Sequence, residues 1–301
     1  MAGNAESAVM SYEDKNRALA RRRAISLTIR YIILILVGLI MIYPLLWMVG
    51  ATFKSNAEIF SGIGLIPKNP TTQGYVDAMK SYGGDINIWK AMLNTFSYVI
   101  PKVIFTVISS VITAYGFGRF KFVGRDFLFA VLMATLFLPQ VVLNIPQFIL
   151  FTDLGWVDSP LYLPLIVPTM FATDTYFVFM LIQFLRNIPK ELEEAAKIDG
   201  CNAVQTLVRV IVPMLMPAIV SVALFQFMWG TNDFMGPLLY VKTPAKYPLA
   251  IFVKLSMDGD TGFAWNRVLA ISLISIVPSL VVFFAAQDQF VDGISAGGVK
   301  G

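Results

Sequence analysis

Histidine is absent from the 301-residue sequence, and cysteine occurs once, at Cys201. The first absence removes the usual zinc ligand, the base of serine–histidine and cysteine–histidine pairs, and the usual proton shuttle. The second excludes an intramolecular disulfide. Charge is scarce too: 14% of residues are charged, against 57% hydrophobic. A soluble domain of this length needs more polar surface, so several membrane spans are expected. No Gly-x-x-x-x-Gly-Lys-Ser/Thr phosphate loop occurs, so nucleotide chemistry is expected on another polypeptide. No catalytic residue, metal site or cofactor is expected. The net charge of +4 is modest, and in an apolar chain basic residues set orientation rather than bind nucleic acid.

What the chain has is long apolar runs. A bilayer crossing needs about 20 largely apolar residues. Six segments qualify, at roughly 31–52, 93–115, 127–148, 161–184, 213–228 and 268–284. Pro101, Pro139 and Pro146 fall in the second and third, where neighbouring helices can satisfy the carbonyls that proline frees. Pro217 and Gly230 interrupt the fifth. Arg21, Arg22 and Arg23 precede the first, but its apolar run exceeds a signal-peptide core and no small-residue cleavage site follows. It is expected to remain as an anchor.

Basic residues cluster before the first span (Lys15, Arg17, Arg21, Arg22, Arg23, Arg30), after the second (Arg119, Lys121, Arg125) and after the fourth (Arg186, Lys190, Lys197, Arg209). With six spans all fall on one side, which is cytoplasmic by the positive-inside rule. The expected organisation is an all-α membrane protein. It has a cytoplasmic segment 1–30, a six-span domain 31–290 and a cytoplasmic tail 291–301. Two ionisable groups sit within spans, Asp174 in the fourth and Lys102 in the second. Such groups face a cavity or a partner, so both are candidates to line a passage, one option being as a pair. The alternatives are misjudged span ends or a Lys102 that snorkels outward.

The most informative stretch is 188–200, Ile-Pro-Lys-Glu-Leu-Glu-Glu-Ala-Ala-Lys-Ile-Asp-Gly. Pro189 suits a first helical position, and three glutamates follow where the helix dipole favours negative charge. Gly200 suits a left-handed stop. Leu192, Ala195, Ala196 and Asp199 share one side at helical spacing, and the paired alanines should make that side flat enough for close approach by another protein.

Glu194-Ala195-Ala196, three residues, Gly200, nine residues and then Val210-Ile211-Val212-Pro213 resemble the EAA loop of ABC importer permeases. Val210 and Val212 stand where that pattern has Ile and Leu, keeping the apolar character. Asn94-Thr95, Ala114 to Phe120, Leu65 to Thr71 with Tyr75, Asn232-Asp233-Phe234 and Pro237-Leu238 resemble the carbohydrate branch, and Thr231 departs from its usual tryptophan. The ending Gly293 to Gly301 is similar to that of the maltose-type second permease subunit.

The resemblance implies the type I six-span importer fold in a bacterial inner or plasma membrane, both termini cytoplasmic. It implies a heterodimer with a second homologous permease, two cytoplasmic ATPase subunits and an extracytoplasmic sugar-binding protein. Glu194, Ala195, Ala196, Asp199, Gly200 and Pro213 would couple to the ATPase. Gly297, Gly298 and Lys300 would reach the ATPase interface, and the loop Met257, Asp258, Gly259 and Asp260 would meet the binding protein. Asp174, Trp229, Asn232 and Asp233 are the possible pathway residues, although in the maltose system the sugar sits mainly in the partner subunit. Cys201 is expected to be a packing residue. The alternatives are a permease for a non-sugar solute, an intramembrane enzyme, or a stand-alone channel or secondary transporter.

Overall fold

The computed structural model describes residues 2–81, 86–257 and 264–298. It is helical nearly throughout. The helices are α1 (Ala2–Ala51), α2 (Asn56–Ile59), α3 (Gln73–Ala78), α4 (Ile88–Arg119), α5 (Arg125–Thr135), α6 (Gln140–Asp153) and α7 (Leu163–Ile166). They continue as α8 (Thr175–Leu185), α9 (Glu191–Ile198), α10 (Ala203–Thr206), α11 (Val212–Thr231), α12 (Met235–Tyr240), α13 (Leu249–Met257) and α14 (Trp265–Gly298). The chain forms two compact units, Met1–Thr72 and Gln73–Gly301.

In the first unit α1 runs without a break through the position expected to divide a polar segment from the first span. Beyond it the chain folds back on the helix end. The buried Lys54 ammonium donates to the Gly64 carbonyl, and the Thr71 amide to that of Phe53 at 2.8 Å.

The second unit is built around α4. Its start is set by Asn87, whose side chain accepts from the Lys90 amide at 2.9 Å. Thirty-two residues long, α4 carries Pro101 within it and packs against α8, α11 and α13. Its buried face meets Phe177, Val178 and Leu181 of α8 and Ala218 and Val222 of α11. At the other end Tyr98 and Val99 pack with Tyr162, Leu165, Ile166 and Tyr240.

Among the described residues five helical stretches are long and apolar enough to cross a membrane, and a bent pair makes up to a sixth. That pair covers the expected third span, 127–148, and is sharply bent within it. Helices α5 and α6 meet at 101° across residues 136–139. Pro139 disfavours helical geometry in the residue before it and has no amide hydrogen, so α5 closes with short turns before α6 begins. The fourth span is also discontinuous. After α7 a 3-10 turn covers Val167–Phe171, Ala172 takes φ 53°, and α8 starts only at Thr175.

The fifth span, counting the bent pair as the third, is longer than expected, running from Ala203 to Thr231. A π-helical turn at Leu207–Ile211 precedes Pro213, whose ring clashes with the carbonyl four residues earlier and widens the turn there. Gly230 does not interrupt α11. It lies buried in the helix, and a Cβ there would sit 3.3 Å from both methyls of Val99. The Tyr98 hydroxyl donates to the Gly230 carbonyl at 2.8 Å, fixing the α4–α11 contact. The last helix, α14, continues to Gly298, into the stretch expected as a tail.

Candidate functional site

At one end of the bundle lies α9. The Gly200 amide donates to the Lys197 carbonyl at 3.0 Å and the Cys201 amide to that of Ala196 at 2.9 Å, with Gly200 at φ +83°. This is the paired closure that a left-handed glycine permits. Three glutamates occupy the first turn, and Asn202 with Gln205 forms a reciprocal capping box that opens α10 directly afterwards. The C-terminal end of α9 is therefore closed by its own backbone, and the next helix is capped directly after it.

A buried ion pair fastens α9 to the bundle. The Arg119 guanidinium, at the end of α4, meets the Glu193 carboxylate and also donates to the Ile188 carbonyl at 2.7 Å. Both side chains are under a tenth exposed. A cation at a helix C-terminus is favoured by the dipole as well. Glu193 was not among the expected site residues, and only its spacing from Ala196 signals an inward side chain.

This geometry corrects the expected face. Ala196 is 6% exposed and turns inward with Glu193. Leu192, Glu194, Ala195, Ile198 and Asp199 are exposed, so the outward surface holds one alanine of the pair, not both. Pro213 opens α11 and is exposed.

In the bundle interior Asp174 sits at the break before α8 rather than within a helix. Its Oδ2 accepts from Gln226 Nε2 at 2.9 Å and from the Thr106 hydroxyl at 3.2 Å, and the same Gln226 amide donates to Thr106 at 3.0 Å. Three elements, α4, α8 and α11, are thus joined by one polar knot. Lys102 does not pair with Asp174. Its ammonium lies 3.9 Å from Asp233, which also accepts from the Gly236 amide. Trp229, half exposed, packs on Phe177 with ring centroids 5.0 Å apart and on Tyr176 at 5.6 Å. Asn232 folds back on the Met228 carbonyl, so it does not join Trp229.

At the end opposite α9, loops are tied by Asp158. Its carboxylate accepts from the amides of Lys242 and Thr243 and from the Thr243 hydroxyl, and the Lys246 ammonium lies 3.4 Å away. Burial pushes this carboxyl up, but the hydrogen bonds and Lys246 outweigh it and hold the value at about 2. Met257 ends α13, while Asp258, Gly259, Asp260 and Lys300 lie outside the described residues. Gly297 and Gly298 are the last residues of α14. No group of three or more acidic or cysteine side chains suited to a metal occurs among the described residues.

Residues 106–291 match the family described as binding-protein-dependent transport system inner membrane component. The chain is 30% identical over 287 residues to the galactooligosaccharides transport system permease protein GanQ of Bacillus subtilis, covering 93% of this chain and 98% of that one. The polygalacturonan/rhamnogalacturonan transport system permease protein YtcP of the same organism is 31% identical, over 90% of this chain and 96% of its own. The trehalose/maltose transport system permease protein MalG of Thermococcus litoralis is 29% identical, over 89% and 94%. Among solved structures, a chain of a bacterial ABC transporter involved in import of the acidic polysaccharide alginate superposes with a TM-score of 0.73 at 22% identity. The match covers 87% of this chain and 95% of that one, and it shows the same fold. Taken with the spans and the clamped α9 loop, the matched residues show that the chain belongs to the family of binding-protein-dependent transport system inner membrane components.

Proposed function

We propose that the chain is one permease subunit of an ATP-driven importer for a sugar or oligosaccharide. It supplies half of a passage whose other half is a second, homologous permease. Two ATPase subunits dock on the cytoplasmic side, and an extracytoplasmic binding protein delivers the sugar. The basic residues around α9 and the α4–α5 loop support the cytoplasmic placement of that end. The three relatives named above are all carbohydrate transport permeases, which supports the substrate class.

The observation that carries this reading is the α9 loop. It is short, closed at its C-terminal end, locked to α4 through Arg119, and turns Leu192, Ala195 and Ile198 outward. A clamped knob that exposes apolar side chains among charged ones suits seating in a cleft of another protein. Closure of the ATPase pair would move α9, and α4 would carry that movement into the spans. Gly297 and Gly298, together with Lys300, would approach the same ATPase pair. The loop of Met257, Asp258, Gly259 and Asp260 would face the binding protein.

Uptake of radiolabelled oligosaccharide by cells whose only copy is a variant tests the proposal. Ala195→Trp should abolish uptake while the amount of protein in the membrane stays unchanged, and Ala195→Ser should retain it. Normal uptake with Ala195→Trp would refute the docking role of this face. Uptake of an amino acid or phosphate ester in place of every oligosaccharide offered would refute the substrate class.

A further inference from the structure

Gln226 and Thr106 are 2% and 1% exposed, and both donate to one oxygen of Asp174. The other oxygen, Oδ1, has no hydrogen-bond partner among the described residues, and the side chain is only half-buried. The carboxylate is therefore held rigidly with one acceptor face open. A charged group facing acyl chains is costly, so the open side of this carboxylate calls for water or a polar ligand.

Aromatic surface continues from it. Trp229 lies three residues after Gln226 on α11, one turn along the same side. Tyr176 lies two residues after Asp174 and packs against Trp229 with ring planes tilted by 46°. Both rings remain open, Trp229 at 51% and Tyr176 at 44%. Fully buried Phe177 backs Trp229, so the indole has a fixed orientation. Lys102 lies 3.9 Å from Asp233, and no ion pair to Asp174 occurs among the described residues.

A fixed hydrogen-bond acceptor beside two exposed aromatic rings has the chemistry of a carbohydrate site. The C–H face of a pyranose packs on an aromatic ring, and its hydroxyls donate to the carboxylate. We propose that Trp229, Tyr176 and Asp174 form a sugar subsite on this chain, and that it accepts an uncharged pyranose unit. Gln226 and Thr106 are positioning residues that fix the carboxylate. A uronic acid is disfavoured there by its like charge. The assignment rests on the importer reading above and adds a direct substrate contact to it.

The test uses membrane vesicles holding the complete transporter. Uptake of galacto-, arabino- and malto-trisaccharides first identifies a neutral trisaccharide that the intact system carries. A diazirine-bearing form of that trisaccharide is then photolysed with vesicles lacking the binding protein, so that only the membrane site is read. Label is expected on the peptides that contain Tyr176 and Trp229. Excess neutral trisaccharide should displace it, and trigalacturonate should not. Trp229→Ala should reduce labelling about fivefold, the effect of losing one aromatic stacking contact, while Trp229→Phe retains it. Asp174→Asn should let trigalacturonate compete. Label confined to other peptides, or equal competition by both sugars in the unaltered protein, would overturn the subsite. Failure of the intact system to carry any trisaccharide would instead overturn the importer reading, and the subsite with it.

Discussion

Arg119 and Glu193 are two charges withdrawn from water to hold a helix in place. Removing one partner leaves the other buried and uncompensated, so Glu193→Ala or Arg119→Ala is expected to cost about 3–5 kcal/mol. The apolar double variant, Arg119→Met with Glu193→Leu, should recover much of that loss, because neither charge is then stranded. Thermal unfolding of the detergent-purified protein measures both. A smaller effect is expected at Gly200, whose φ of +83° suits glycine. Gly200→Ala should cost about 1–2 kcal/mol. At this scale the sequence was legible where backbone chemistry is local: Gly200 closes α9 as its type and position suggest. It was not legible for Glu193 and Ala196, since which side of a short amphipathic helix turns inward depends on where Arg119 ends its own helix.

Between elements, short polar contacts set the geometry that apolar packing leaves open. Asp158 joins the loop after α6 to the loop before α13 through four groups. Its carboxyl value of about 2 lies below the ordinary 3.8. The contribution is therefore complete above pH about 4 and is lost as pH falls from 3.8 toward 2. Asp158→Asn should remove that acid-dependent component and cost on the order of 1 kcal/mol at neutral pH. Melting temperature followed from pH 7 down to pH 2.5 in both proteins separates the two effects. Gly230→Leu should drive α4 and α11 apart, because the added carbons would overlap Val99, and should lower the yield of folded protein in the membrane. The helical spans were readable from length and apolarity alone. The 101° bend between α5 and α6 was not, since proline inside a span is compatible with either a kink or a full reversal, and only the neighbouring helices decide. Asp174 was noticed because a carboxylate in an apolar run stands out. Its partner Gln226, an uncharged amide, carries no such signal.

Across the whole molecule, the family was readable because its motif lies on one contiguous loop, whereas the interior contacts join residues more than fifty positions apart. Helix α4 takes part at three points along its length. Its last residue grips α9, Thr106 meets the Asp174 knot, and Lys102 meets Asp233. At 1.5 Å per residue its 32 residues make a rod of about 48 Å. Such a rod has one practical result: a shove delivered at Arg119 arrives about 20 Å away at Thr106 without any intervening joint, so the timing of passage opening can be inherited directly from whatever grips the far end.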